Sequence, residues 1–217
     1  MIKIALPVTV SASVTSIAGL ADTAIITGRL VSSGWAYDTA LALYSGYANL
    51  AVPLFNLPVA LITPVAMSLV PALSAAVAAG EPGTAAAVKR TAFRITLGAA
   101  VPASLGLAVF ARPVLELIYP SQASAVASSA PLLSVLGIAV IFVSLTAPIN
   151  SMLQGIGRVD LPVKLMLMGA GIKFVTNFIL LRVPQVGIMA APLGSLLCYG
   201  FIGCMSLRAI CRETGVC

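Results

Sequence analysis

The chain has 217 residues, of which 60% are hydrophobic and 8% charged, with a mean hydropathy of +1.10 and a net charge of +6. Water-soluble domains carry roughly 25% charged residues, so this chain could not cover a water-facing surface. Uncharged runs at 39–80, 117–157 and 183–207 each exceed the roughly 20 residues that cross a bilayer. The chain is therefore predicted to be a polytopic membrane protein. The excess of basic residues then indicates how the chain is oriented in the membrane, and no nucleic-acid partner is expected.

The elements along the chain are predicted to be membrane helices. Runs of Ala, Leu, Val and Ile with interspersed Gly and Pro are typical of such helices, and the alternation of a transmembrane barrel is absent. Pro7 closely follows Lys3 and no Ala-x-Ala site closes the first apolar run, so we expect this run to stay as a span. We predict an all-α fold, a single six-helix membrane lobe over 1–217. Its spans are predicted at 4–28, 39–79, 91–111, 126–154, 162–181 and 187–208.

The first span contains Asp22, in "GLADTAIITG", the only acidic residue well inside a predicted span. Ionisable groups inside a membrane are costly and usually functional. Asp22 could pair with a basic group, bind a coupling ion or cap a broken helix, and the sequence leaves these three roles open.

The second segment combines great length with four prolines. Its 41 residues would make roughly 60 Å of helix against a hydrocarbon core of about 30 Å, so it either bends and projects or turns back near 56–58. A proline disrupts a soluble helix, but a membrane bundle can satisfy the carbonyls that it frees. The prolines are either hinges of a mobile, cavity-lining helix or packing irregularities: Pro53, Pro58, Pro64 and Pro71.

Polar side chains give this second segment a stripe that is unusual for a lipid-facing helix. The stripe consists of Tyr44, Tyr47, Asn49 and Asn56. Because polar groups inside a membrane seldom face lipid, these residues are candidates to line a cavity.

A basic cluster of Lys89, Arg90 and Arg94 follows "GEPGTAAA" at the start of the third span. Such a cluster is sufficiently explained as an orientation signal that contacts anionic lipid headgroups. Binding of a phosphate group is the alternative, and the sequence does not require it.

The fourth span carries Asn150 and Gln154, four residues apart near its predicted cytoplasmic end. Residues at this spacing share one helix face. Amide side chains in such positions more often form hydrogen bonds between membrane helices than bind ligands, and the sequence leaves both roles open.

The fifth span places Lys173 midway along "LMLMGAGIKFVTNFILL". A lysine at mid-helix costs roughly 2.5–3.5 kcal/mol on insertion scales, and this one is far from both ends of the helix. Asn177 and Gly169 lie one turn away on either side, on the same face. This face is predicted to line a bundle interior or water-filled cavity, with a static contact to backbone carbonyls as the alternative.

The residues that catalysis and metal binding need are missing. The chain has no histidine and no phosphate-binding G-x-x-x-x-G-K-[ST] loop, which excludes the usual zinc sites, a Ser-His-Asp triad and ATP hydrolysis. We expect no cofactor and no enzymatic activity. The cysteines lie six or seven residues apart without a CxxC pair and are interpreted as membrane thiols: Cys198, Cys204, Cys211 and Cys217.

The basic residues predict the orientation of the chain. With six spans, eight basic residues lie on one side of the membrane and three on the other, while Lys173 lies within a span. This count places both termini in the cytoplasm. A hairpin at Pro58 would exchange Lys3 for Arg29 and leave the same ratio, so charge does not decide whether 39–79 spans once or twice. The eight are Lys3, Lys89, Arg90, Arg94, Arg158, Lys164, Arg208 and Arg212.

Four stretches resemble a known family in order and spacing across nearly the whole chain. They are "GLADTAIITGRL" at 19–30, "VPLFNLPVALITPVAMSLVPALSAAVAAG" at 52–80, "NSMLQGIGRVDLPV" at 150–163 and "GIKFVTNFILLRVPQVGIMAAPLGSLLCY" at 171–199. They are similar to the stage V sporulation protein B group of polysaccharide biosynthesis proteins, within the multidrug/oligosaccharidyl-lipid/polysaccharide exporter superfamily.

The resemblance implies a bacterial inner-membrane flippase or exporter with two six-helix lobes around a central cavity. This chain resembles the second lobe only, with 39–79 as one long bent helix. The implied substrate is a lipid-linked oligosaccharide or peptidoglycan precursor, and the implied partner is a separate first lobe or a second copy. Family flippases meet the pyrophosphate of the substrate with basic residues of both lobes, and here Lys173 is the basic candidate.

Three functional readings remain open from the sequence. The first is the lipid-linked precursor flippase with alternating access around the bent helix. The second is an ion-coupled multidrug exporter, for which Asp22 is the candidate titrating acid. The third is a membrane scaffold that does not transport, or an inert truncated fragment.

Overall fold

The computed structural model describes residues 23–155, 157–158, 160–181 and 186–214. Within these ranges the chain is helical or in short connections, and no strand occurs. The predicted first span lies mostly outside them, as does Asp22. The helices are α1 (23–32), α2 (Tyr37–Gly46), α3 (Val52–Met67), α4 (Val70–Ala78), α5 (Pro82–Val109), α6 (Ala111–Ile118), α7 (Ala123–Gly155), α8 (Asp160–Leu180) and α9 (Ala190–Thr214).

Five helical segments of the described chain are long and apolar enough to cross a membrane. The predicted all-α, polytopic membrane bundle is therefore confirmed as the fold class. The five segments are Tyr37–Pro64, Pro82–Val109, Ala123–Gln154, Asp160–Leu180 and Gly187–Arg212.

The proline-rich segment is helical but irregular. A π-helical turn, Tyr47–Ala51, joins α2 to α3, and α3 continues through 56–58 without turning back. Pro58 and Pro64 lie inside α3, and Thr63 Oγ1 donates a hydrogen bond to the Val59 carbonyl at 2.7 Å. The helix breaks at 68–69, and α4 then begins with Pro71 in its first turn, where a missing donor costs little.

The central helix is α7, against which α3, α5 and α9 all pack. Its first half contributes Leu133 and Leu136, both almost fully buried, to a core shared with α1, α3, α6 and α9. Its second half contributes Ile149 and Met152 to another core, shared with α4, α5 and the end of α9. These elements are thus held in place mainly through α7, whereas α8 packs chiefly against α9.

The close approach of α5 to α7 depends on a glycine. A Cβ added at Gly137 would lie 2.6 Å from the amide nitrogen of Ala108 and 2.9 Å from the carbonyl carbon of Leu107. Ser104 Oγ donates a hydrogen bond of 2.7 Å to the Gly137 carbonyl at the same crossing. Small residues allow membrane helices to pack backbone against backbone in this way.

Candidate functional site

A cavity of about 220 Å³ lies between the π-helical turn, α3, α8 and α9. Its wall combines apolar side chains with hydroxyl groups, one amide group and one ammonium group, that of a lysine. The polar residues that line it are Tyr44, Tyr47, Asn56, Lys173, Ser195 and Tyr199.

The π-helical turn positions the tyrosines of this cavity. It begins directly after Gly46, where an added Cβ would lie 2.6 Å from Ser129 Oγ of α7. The extra residue of a π turn shifts the faces of the helix on either side, and such turns often occur at functional sites. The rings of Tyr44 and Tyr47 lie 6.2 Å apart across the start of this turn.

Hydrogen bonds tie these tyrosines to other helices. Thr23 Oγ1 of α1 donates to the Tyr44 hydroxyl at 3.0 Å. The hydroxyls of Tyr47 and Ser195 are 3.4 Å apart. Because Ser195 Oγ donates its hydrogen to the Ala191 carbonyl, the Tyr47 hydroxyl is the donor of this pair. The hydroxyl groups are thus held in fixed positions on the cavity wall.

Lys173 projects from α8 and is half-buried in the wall. It is the one charged residue among the described residues that line the cavity. An ammonium group offers three donors and no acceptor, and its charge interacts strongly with an anion when water is excluded. The cavity can therefore hold an anionic oxygen next to neutral hydroxyl and amide groups.

Asn177 does not line this cavity, although it shares a helix face with Lys173. Its side chain is 2% exposed and lies against Gly194 of α9. Its Oδ1 has no hydrogen-bond partner among the described residues. Gly169 contacts Cys198 on the same side of α8. This part of the predicted face forms the α8–α9 interface.

The amide candidates other than Asn56 do not line the cavity either. Asn49 is exposed and donates to Ser45 Oγ at 3.0 Å. Asn150 lies 14 residues beyond Leu136, the α7 residue of the cavity wall, which is about 21 Å along the helix. Gln154 is exposed one turn further on. The predicted role of Asp22 lies outside the described residues.

Ser195 and Tyr199 of α9 line the cavity but were not predicted from the sequence. The signal was present, since two hydroxyl residues four apart in the uncharged run 183–207 share one helix face. The ring of Tyr199 lies 5.9 Å from that of Phe55, which closes the cavity between α3 and α9.

Transporter sites lie between helices near the middle of the membrane, often where a helix is interrupted. An all-helical membrane bundle with a polar cavity beside an irregular helix has the features of this class, the membrane transporters. The chain matches the family model described as lipid II flippase MurJ over residues 1–212, and it belongs to that family. No curated protein and no solved structure matches the chain.

Family membership confirms the functional class predicted from the sequence. The family transports a lipid-linked peptidoglycan precursor as a flippase, and it belongs to the exporter superfamily that the four stretches resemble. The chain is accordingly a transport protein and not an enzyme. The family and the five apolar helices indicate a multi-pass protein of the bacterial inner membrane.

Proposed function

We propose that the cavity binds the anionic headgroup region of the lipid-linked precursor during transport, with Lys173 as its charged contact. The observation that carries this proposal is the half-buried ammonium group in the wall of a polar cavity. Phosphate oxygens accept hydrogen bonds from lysine, and the neighbouring Tyr44, Asn56 and Ser195 suit the hydroxyls of a sugar.

The cost of placing a lysine inside a membrane fits a role of Lys173 in binding. A lysine at mid-membrane is destabilising, on the order of 2.5–3.5 kcal/mol on insertion scales. Among the described residues that line the cavity, the polar groups other than Lys173 are neutral. An anionic ligand would offset the cost of Lys173 in the bound state, and this makes the lysine useful to binding.

We further propose that the chain acts as one lobe of a two-lobe transporter, as in the stage V sporulation protein B group. A volume of about 220 Å³ is below the range of about 300–1,000 Å³ for small-molecule pockets, and a lipid-linked sugar needs more. Asn49 is also exposed, and Asn56 is exposed although it lines the cavity, so contact with lipid would be unfavourable for both. A separate first lobe or a second copy would cover them.

The prolines of the second segment are proposed hinges for the rocking of this lobe. Pro58 and Pro64 each remove a backbone hydrogen bond inside α3, and the π-helical turn interrupts the ladder just before it. Pro53 precedes them, and Pro71 follows the break at 68–69. Both termini are proposed to face the cytoplasm, on the charge count alone.

Substitution of Lys173 tests the proposed site. Cells that depend on this protein, with its partner lobe if one is needed, should lose precursor flipping with Lys173→Met and keep most of it with Lys173→Arg. Lys164→Met is the matched control, because Lys164 is exposed on the same helix and pairs with Asp160 at 2.9 Å. Full flipping by Lys173→Met at normal protein levels would refute the proposed role.

A further inference from the structure

A second cavity, of about 740 Å³, forms a groove between α5 and α9, away from the cavity of Lys173. Both helices pack against α7. Three basic residues of α5 line the groove together with apolar side chains: Lys89, Arg90, Arg94, Phe93, Leu97 and Ile210. We propose that this groove binds an anionic diacyl phospholipid of the surrounding bilayer, a site independent of transport.

The position of the groove along α5 fits the headgroup level of a membrane. The helix has 28 residues, about 42 Å, which exceeds a hydrocarbon core of about 30 Å by about 12 Å. With Val109 at one boundary, about 20 residues of core bring the other boundary to about position 90. Lys89 and Arg90 then lie at headgroup level, and Arg94, one turn deeper, can extend its side chain outward.

The residues of α9 that line the groove place it at the same depth in the membrane as those of α5 do. Ile210 and Cys211 lie three to four residues before the end of α9 at Thr214. This helix also ends in basic residues, Arg208 and Arg212, as expected for a membrane boundary. The groove therefore opens at the surface of the bilayer and not at its centre.

The groove is graded from polar to apolar in the order that a phospholipid requires. Lys89 is only 5% exposed and forms the inner wall, whereas Arg90 and Arg94 are exposed at the rim. Phe93 is half-buried, and Leu97, one turn deeper in the membrane, is exposed toward the groove. Guanidinium groups bind phosphate in a bidentate manner, and the apolar walls suit acyl chains.

The surface charge alone does not explain this arrangement. A simple orientation signal needs exposed cations in a loop or at a helix end. Here one of the three cations is buried in the groove wall, and the groove volume is within the range of about 300–1,000 Å³ for ligand pockets. A phospholipid bound here would bridge α5 and α9.

Native mass spectrometry of the detergent-purified protein tests the proposal. Phosphatidylglycerol and phosphatidylcholine with identical acyl chains are titrated separately, with no lipid-linked precursor present. We expect phosphatidylglycerol to bind at least tenfold more tightly. Arg90→Gln/Arg94→Gln should lose this preference, because each surface cation contributes roughly fivefold to the binding of anionic lipid.

Two further variants keep the test specific to the groove. Arg208→Gln/Arg212→Gln removes two exposed charges at the same end of α9, outside the groove, and should keep the preference. Ala87→Phe fills the groove from an exposed position and keeps every charge, so it should weaken binding of both lipids. Equal losses in the two arginine doubles, or no headgroup preference in the unmodified protein, would overturn the proposal.

Discussion

Asn177 of α8 and Gly194 of α9 are in such close contact that a Cβ at position 194 would overlap Asn177 Oδ1. The same Cβ would lie 3.5 Å from the carbonyl oxygen of Lys173. The backbone of α9 therefore fits against the α8 turn that carries the cavity lysine. This contact sets how far Lys173 stands from Ser195, the next residue of α9 after Gly194.

Gly194→Ala should destabilise the protein by about 1–3 kcal/mol, because either Asn177 or the helix must move. Thermal unfolding in detergent, followed by circular dichroism, measures the effect. Gly200→Ala on the same helix is the control, since a Cβ there meets no atom within 4 Å. The double variant Asn177→Ala/Gly194→Ala should recover part of the loss, and a strictly additive result would contradict the contact.

The variant Asn177→Leu tests whether the Asn177 amide serves transport or only the packing of the protein. The Oδ1 atom is buried without a hydrogen-bond partner among the described residues, and a leucine of similar shape has no polar group to satisfy. We expect stability to be unchanged or higher by about 1 kcal/mol, measured by the same unfolding assay. If flipping is lost while stability is kept, then Asn177 contributes to transport as the sequence predicted.

Gly137→Ala should be more damaging than Gly194→Ala. The added Cβ would meet backbone atoms of Leu107 and Ala108, which cannot rotate away as a side chain can. We expect a loss of about 3 kcal/mol or more and separation of α5 from α7. Gly106→Ala, on α5 with open space at its Cβ, should be neutral or slightly stabilising. Equal melting temperatures for the two variants would refute the close crossing.

Replacement of Pro58 and Pro64 by alanine tests the proposed hinge. The change restores two backbone donors inside α3, so stability should rise, by up to about 3 kcal/mol for each proline, while flipping slows. Pro102→Ala is the matched control, because Pro102 lies inside α5 and is not one of the proposed hinges. Unchanged flipping in the double variant would remove the hinge from the mechanism.

Hydropathy was sufficient to predict the membrane-helical fold, because uncharged runs of 25 residues or more have few other solutions. The π-helical turn after Gly46 could not be predicted, since nothing in the local sequence marks it and its surroundings on α7, such as Ser129, are 83 residues further along. The role of the α8 face in a cavity stays a prediction. Lys173 lies at the wall of a cavity and Asn177 in the α8–α9 interface, and only packing between helices decides which part of one face meets which neighbour.

The short helix α6 was missed, although the sequence contains its signal. Apolar residues at 111, 114, 115 and 118 follow helical spacing, and Arg112 pairs with Glu116 at 2.8 Å across one turn. Leu115 is fully buried against the bundle, whereas Leu117 is 83% exposed. A segment of eight residues is too short for a span and was therefore overlooked beside the longer runs.

The central claim is that water and an anionic headgroup reach Lys173 inside the membrane. The most direct measurement is the accessibility of Lys173→Cys in a background without the native cysteines, with a charged, membrane-impermeant thiol reagent applied from each side. Lys164→Cys, at an exposed position, and Ile149→Cys, at a fully buried one, provide the limits. Labelling at 173 from at least one side, slowed by the lipid-linked precursor, is the result we expect. No labelling at 173 from either side, with position 164 labelled normally, would contradict the cavity and favour a packed, non-transporting interface.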